Sequence, residues 1–140
     1  LTPSFGIFLS AVGLAVSALI GLAENSEVLG LLNSADPAYL LAATVWGFGI
    51  WIVGIILLIC FYQLKKGGIP FSLGWWAFIF PLAAYVLAGQ KIEAYFLSPW
   101  VSGYTILLTA LLTVLWLYTF GNTVKGVING TLFTGKPLEK

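Results

Sequence analysis

Charge is scarce in this chain. Of 140 residues only 8% are Asp, Glu, Lys or Arg, and mean hydropathy is +1.02, whereas a soluble domain carries roughly a quarter charged residues. Too little charge is present to cover a water-facing surface, which excludes a soluble fold. Histidine and arginine are absent and Cys60 stands alone, so a Cys/His metal cluster and a disulfide framework are excluded and no metal or cofactor is expected. Six lysines against five acids leave a net charge of +1, which argues against a nucleic-acid partner. Methionine is missing as well, and the chain opens at Leu1; a fragment or processed piece of a longer protein is expected. No basic segment precedes the first apolar stretch, so no secretory signal is expected.

What the chain does have is apolar length. A bilayer core of about 30 Å needs about 20 helical residues, and four stretches supply them: about 4–23, 39–62, 72–89 and 100–119, helices A to D. Every acid and lysine falls outside them, and aromatic residues such as Tyr39, Tyr62, Trp100 and Tyr118 gather near their ends, as interfacial belts do. The expected fold is all-α integral membrane, a four-helix transmembrane domain over residues 1–122 followed by a cytoplasmic tail over 123–140. Asp36-Pro37 and Ser98-Pro99 mark the starts of B and D, since proline suits the first helical turn; Gly67-Gly68 and Pro70 break the chain between B and C.

Lysine placement orients the spans. The A–B loop holds Glu24, Glu27 and Asp36 and no base, whereas the B–C turn holds Lys65 and Lys66 and the tail holds Lys125, Lys136 and Lys140. The C–D loop is expected to carry Lys91 and Glu93. The positive-inside bias then places both termini in the cytoplasm, in the cell (inner) membrane.

An internal echo supports two equivalent hairpins. Shifting the chain by 68 residues lays A on C, matching Ser4 with Ser72, Gly6 with Gly74, Leu14 with Leu82 and Gly21 with Gly89. Both helices run the same way, so the echo is a parallel repeat. Small residues line one face of A (Gly6, Ser10, Gly13, Ser17, Gly21) and one of C (Gly74, Ala77, Pro81, Ala84, Ala88). Helix B is rich in large aliphatics from Ile50 to Ile59, as a lipid-facing helix should be. A and C are therefore expected inside and B outside. A small stripe by itself usually means close helix packing; the sharper reading is a passage lined by Ser10, Gly13, Ser17, Ala77 and Ala84. Thr105, Thr109 and Thr113 of helix D are read as structural, each bonding the carbonyl one turn back.

Pro81 interrupts helix C at mid-span. It cannot donate to the carbonyl of Ala77, so a kink is expected. Phe80, beside it at the border of the stripe, is the bulky group best placed to occlude a passage, because hydrophobic constrictions gate by excluding water.

The run Gly74-Trp75-Trp76-Ala77-Phe78-Ile79-Phe80-Pro81-Leu82 resembles the signature of the tellurite-resistance/dicarboxylate transporter family, which includes a yeast malic acid transporter and the slow anion channels of guard cells. Pro3 to Ala15 is similar to the family's seventh helix, and Gly130-Thr131-Leu132-Phe133 to a motif in its C-terminal tail. The resemblance implies that A to D are the last four of ten helices, arranged as five hairpins around a central pore, commonly in trimers. It implies that Phe80 is the pore gate and Pro81 its kink, and that the partners are lipid, an anionic solute, and the missing N-terminal helices or other copies, in a homotrimer. A proline pair common in the family's seventh helix is replaced here by Ala11-Val12.

No acidic or basic side chain lies in any span, so a proton relay or a coupling-cation carboxylate is not expected here, and nothing suggests an enzyme. The expected function is transmembrane transport of anions, C4-dicarboxylates such as malate or small inorganic anions of the tellurite-resistance type. The alternative is a non-transporting four-helix scaffold or assembly subunit.

Overall fold

The computed structural model describes residues 6–28, 33–66 and 71–130. Four long helices make up the molecule: α1 (Gly6–Val28), α2 (Asp36–Lys65), α3 (Trp76–Phe96) and α4 (Pro99–Ile128), with a short 3-10 turn, Leu73–Trp75, leading into α3. All four are long and apolar enough to cross a membrane. The protein is an all-α, multi-pass membrane protein. The breaks at Gly67-Gly68 and Pro70, the start at Ser4 and the motif from Thr131 to Phe133 lie outside the described residues.

The helices start where proline permits and outrun the expected spans. Pro37 and Pro99 occupy first-turn positions of α2 and α4, and Asp36 places a negative charge at the positive end of the α2 dipole. At 1.5 Å per residue, the 30 residues of α2 and of α4 reach about 45 Å, well beyond the hydrocarbon core. The surplus turns carry charge: Asp36 and Lys65 on α2, Lys125 on α4.

Two expected boundaries move. Lys91 and Glu93, read as belonging to the C–D loop, lie on α3, which continues to Phe96. Gly89, at which the expected span closes, serves as a close approach: a Cβ there would sit 2.9 Å from the Trp46 ring. Likewise α4 does not end near Thr119 but runs to Ile128, so residues 123–128 are helical. Polar side chains in its last turns bond back onto the helix, Asn122 Nδ2 to the Tyr118 carbonyl (2.8 Å) and Thr123 Oγ1 to that of Thr119 (2.7 Å). Thr109 and Thr113 do the same at 2.8 Å each, as expected, while the Thr105 hydroxyl is buried without a partner.

α3 stops abruptly. Leu97 takes the left-handed conformation (φ 49°, ψ 35°) and donates its N–H to the Glu93 carbonyl at 2.8 Å. Glycine usually fills this position, because a Cβ there costs about 1–2 kcal/mol. Leu97 is 81% exposed, so little packing opposes its removal. Leu97→Gly is expected to stabilise the protein by about 1 kcal/mol, measured as a raised unfolding midpoint in detergent; a lowered midpoint would contradict the strain.

Packing separates an inner pair from two flanking helices. α1 and α3 share the most extensive contact, α2 lies mainly on α1, and α4 lies on α3. Within their most apolar stretches 33% of α1 and 39% of α3 is buried, against 22% of α2 and 11% of α4. The bulky aliphatics of α2 divide accordingly: Val53 and Ile56 pack inward while Ile50, Ile55, Leu57 and Leu58 stand exposed. The core between the helices is built on Leu9, Val16 and Ile20 from α1, Ala42 and Trp46 from α2, and Tyr85 from α3.

Candidate functional site on the open face of α1 and α3

The two inner helices run parallel in constant register. Gly6 faces Ala77 and Phe78, and seven residues further Gly13 faces Ala84 and Tyr85. At Gly13 the approach is backbone to backbone: a Cβ would lie 2.5 Å from the Ala84 carbonyl carbon and 2.7 Å from the Tyr85 nitrogen. Of the five small-residue positions predicted to line a passage, the structure thus brings Gly13 and Ala84 together as the seam itself, Gly13 buried and Ala84 half-buried. Small residues serve here to let two helices touch.

Flanking that contact on α1 are Ser10 and Ser17, both half-buried. The Ser10 hydroxyl donates to the Ile7 carbonyl at 2.7 Å, so it offers a lone pair, not a proton, to anything outside the helix. On α3 the seam is flanked by Phe80 and Leu87, four residues before and three after Ala84, both exposed. Phe80 is 66% exposed, Ala77 is exposed, and Pro81 is buried. The register sets Phe80 and Pro81 beside Leu9 and Ser10. Phe80, Leu87 and Lys91 recur at helical spacing, so they mark one uncovered face of α3. No charged side chain stands along it short of the one end at which α1 carries Glu24 and α3 carries Lys91.

The opposite side of α3 is held by an aromatic knot that spacing alone does not reveal. Tyr85, fully buried, donates its hydroxyl to the Trp46 carbonyl at 2.9 Å, and Trp46 Nε1 donates to the Tyr85 carbonyl at 3.3 Å. The rings stack with centroids 5.4 Å apart, and Tyr104 of α4 meets Trp46 edge-on at 5.5 Å. Gly49 and Gly89 make room for these rings; a Cβ at Gly49 would fall 2.2 Å from the Tyr85 ring. The sequence holds a weak trace of it in Gly49 and Gly89, which leave the space that these rings fill.

A second aromatic group ties three helix ends. Tyr39 donates to Glu24, Tyr95 donates to Asp36, and the two tyrosine rings stack at 3.8 Å. α1, α2 and α3 are thereby fastened at the ends that carry these acids. Cys60 is half-buried, and no group of three or more His, Cys, Asp or Glu is placed to hold a metal among the described residues.

Comparison with known proteins adds lineage to this geometry. The family model of the voltage-dependent anion channels matches residues 1–124. Two uncharacterized transporters of Methanocaldococcus jannaschii are each 31% identical to the chain, over 136 and 135 residues; the matches cover 97% and 96% of this chain but 39% and 38% of theirs. A sulfite efflux pump of Trichophyton rubrum is 31% identical over 84 residues, 60% of this chain and 21% of the pump. The chain therefore spans about two-fifths of the length of the first two relatives. No solved structure matches it. The stretch from Gly74 to Leu82 pointed to slow anion channels and their relatives, and the match extends that likeness to almost every described helix: the chain belongs to the voltage-dependent anion channel family.

Proposed function

We propose that this chain forms part of a membrane passage for anions, lined by the open face of α1 and α3 and gated by Phe80. The observation that carries the reading is the exposure of Phe80 beside a buried Pro81: a large ring stands on the uncovered face of the inner pair, at the turn where the helix lacks a hydrogen bond. A ring so placed excludes water from a narrow path and thereby blocks ions. With no fixed charge along the face, an anion would be held only weakly, by the fields of the surrounding helices, which favours throughput over tight binding.

The candidate solutes are small oxyanions, sulfite or tellurite among them, and C4-dicarboxylates such as malate. Sulfite is suggested by the name of one relative, the others by the family resemblance. The remaining wall of the passage would come from N-terminal helices of the same protein, in a homotrimer. Lys65, Lys66 and Lys125 share one end of the bundle by topology, and the positive-inside bias supports reading that end as cytoplasmic.

Phe80→Ala in the intact protein, reconstituted into liposomes, is expected to raise anion flux roughly tenfold, the equivalent of lowering a barrier by about 1.4 kcal/mol. The exposed ring makes the substitution mild for folding. Unchanged flux in folded protein would remove the gate and favour the second reading, a packing scaffold. That alternative draws on the Gly13–Ala84 contact, in which the small residues serve adhesion.

A further inference from the structure

We propose that Tyr85 is a positioning residue for Phe80, acting through its paired hydrogen bonds to Trp46. The inference rests on the reading of Phe80 as a gate. Phe80 sits on the one turn of α3 that Pro81 deprives of a hydrogen bond, so its ring can swing unless the helix is fixed on both sides of that turn. It is fixed on both sides. Before the turn, Trp76 Nε1 donates to Thr123 Oγ1 of α4 at 3.1 Å, and Phe78 lies against Gly6 of α1. After it, Tyr85 and Trp46 exchange bonds of 2.9 and 3.3 Å between α3 and α2.

The second anchor is the stiffer one. A single side-chain hydrogen bond leaves rotation about its own axis, whereas two bonds and a stacked ring pair define position and tilt together. Gly49 and Gly89 remove the Cβ atoms that would push the rings apart, so the backbones are cut to fit this pair. Tyr85 follows Phe80 by five residues, about 140° around the helix, and thus grips α3 from the side away from the open face. A hold from behind leaves the ring free to meet the solute while the turn beneath it stays in place. Tyr85 and Trp46 are both buried, so little water reaches the clasp to compete for its hydrogen bonds.

The test is a flux measurement on the intact protein in liposomes, with Tyr85→Phe made alone and in the Phe80→Ala background. Tyr85→Phe removes the hydroxyl and keeps the ring. Alone, it is expected to raise flux several-fold as the gate ring loosens; with Phe80→Ala present it is expected to add nothing, because there is no ring left to position. Trp46→Phe, which deletes the indole donor, should behave in the same way and serves if Tyr85→Phe does not fold. Equal effects in both backgrounds, a fall in flux, or no change in either clasp variant while Phe80→Ala still raises flux would overturn the positioning role. Unchanged flux in Phe80→Ala itself would instead overturn the gate.

Discussion

Gly13→Leu is expected to abolish the folded bundle, and Gly13→Ala to weaken it severely. The reason is that the three atoms nearest Gly13 are all backbone: the carbonyl carbon and oxygen of Ala84 at 2.5 and 2.6 Å from a built Cβ, and the nitrogen of Tyr85 at 2.7 Å. None of these can rotate aside. Accommodating one methyl group requires α1 and α3 to separate, which opens the seam along its length. Within a membrane, helix association depends on packing because lipid is as apolar as the side chains, so a lost seam is not replaced by a hydrophobic gain. Overpacking of this kind costs about 1–3 kcal/mol for alanine, and leucine exceeds what the contact can absorb. Gly21 supplies the control. It belongs to the same stripe, yet a Cβ there meets nothing within 4 Å, so Gly21→Ala should be neutral or mildly stabilising through its better helix propensity. Unfolding followed by circular dichroism in detergent distinguishes the two glycines; equal effects would refute the seam.

Tyr85→Ala is expected to cost about 3–5 kcal/mol, the range for deleting a buried aromatic ring. The ring is fully buried, stacked on Trp46 and bonded to its carbonyl, so its loss leaves a hole bounded by three helices and an indole without support. The complementary change is informative. Gly49→Ala alone should destabilise, since its Cβ would lie 2.2 Å from the Tyr85 ring, which has no room to move. In the Tyr85→Ala background the same substitution fills part of the hole and should be neutral or favourable. A double-mutant cycle therefore predicts strong coupling between positions 49 and 85; additive effects would show that the two residues do not meet.

These residues also mark how far the sequence alone could be read. The number of helices, their apolar length and the proline-marked starts of α2 and α4 were legible because each depends on local composition. So was the back-bonding of Thr109 and Thr113, which involves only one turn of helix. The inner placement of A and C was legible too, through two stripes of small residues. Helix ends were less so: the expected span closes at residue 89, and Gly89 becomes a contact only when Trp46, 43 residues away, lies against it. Nor could the stripe on α1 be divided in advance into a glycine that touches another backbone and one that touches nothing. The clasp between Trp46 and Tyr85 was invisible for the same reason. Neither residue has an unusual neighbour in the chain, and their bond exists only because α2 and α3 cross there.

The two-residue link between α3 and α4 has a mechanical consequence. Leu97 and Ser98 can bridge only about 7 Å even when extended, and Leu97 is already folded back on Glu93. The end of α3 and the start of α4 therefore cannot slide past one another. Torque applied to the upper half of α3 is delivered to α4 as though through a rigid elbow, and the long α4 then works as a lever arm whose far tip, beside Trp76, reports on the lower half of α3.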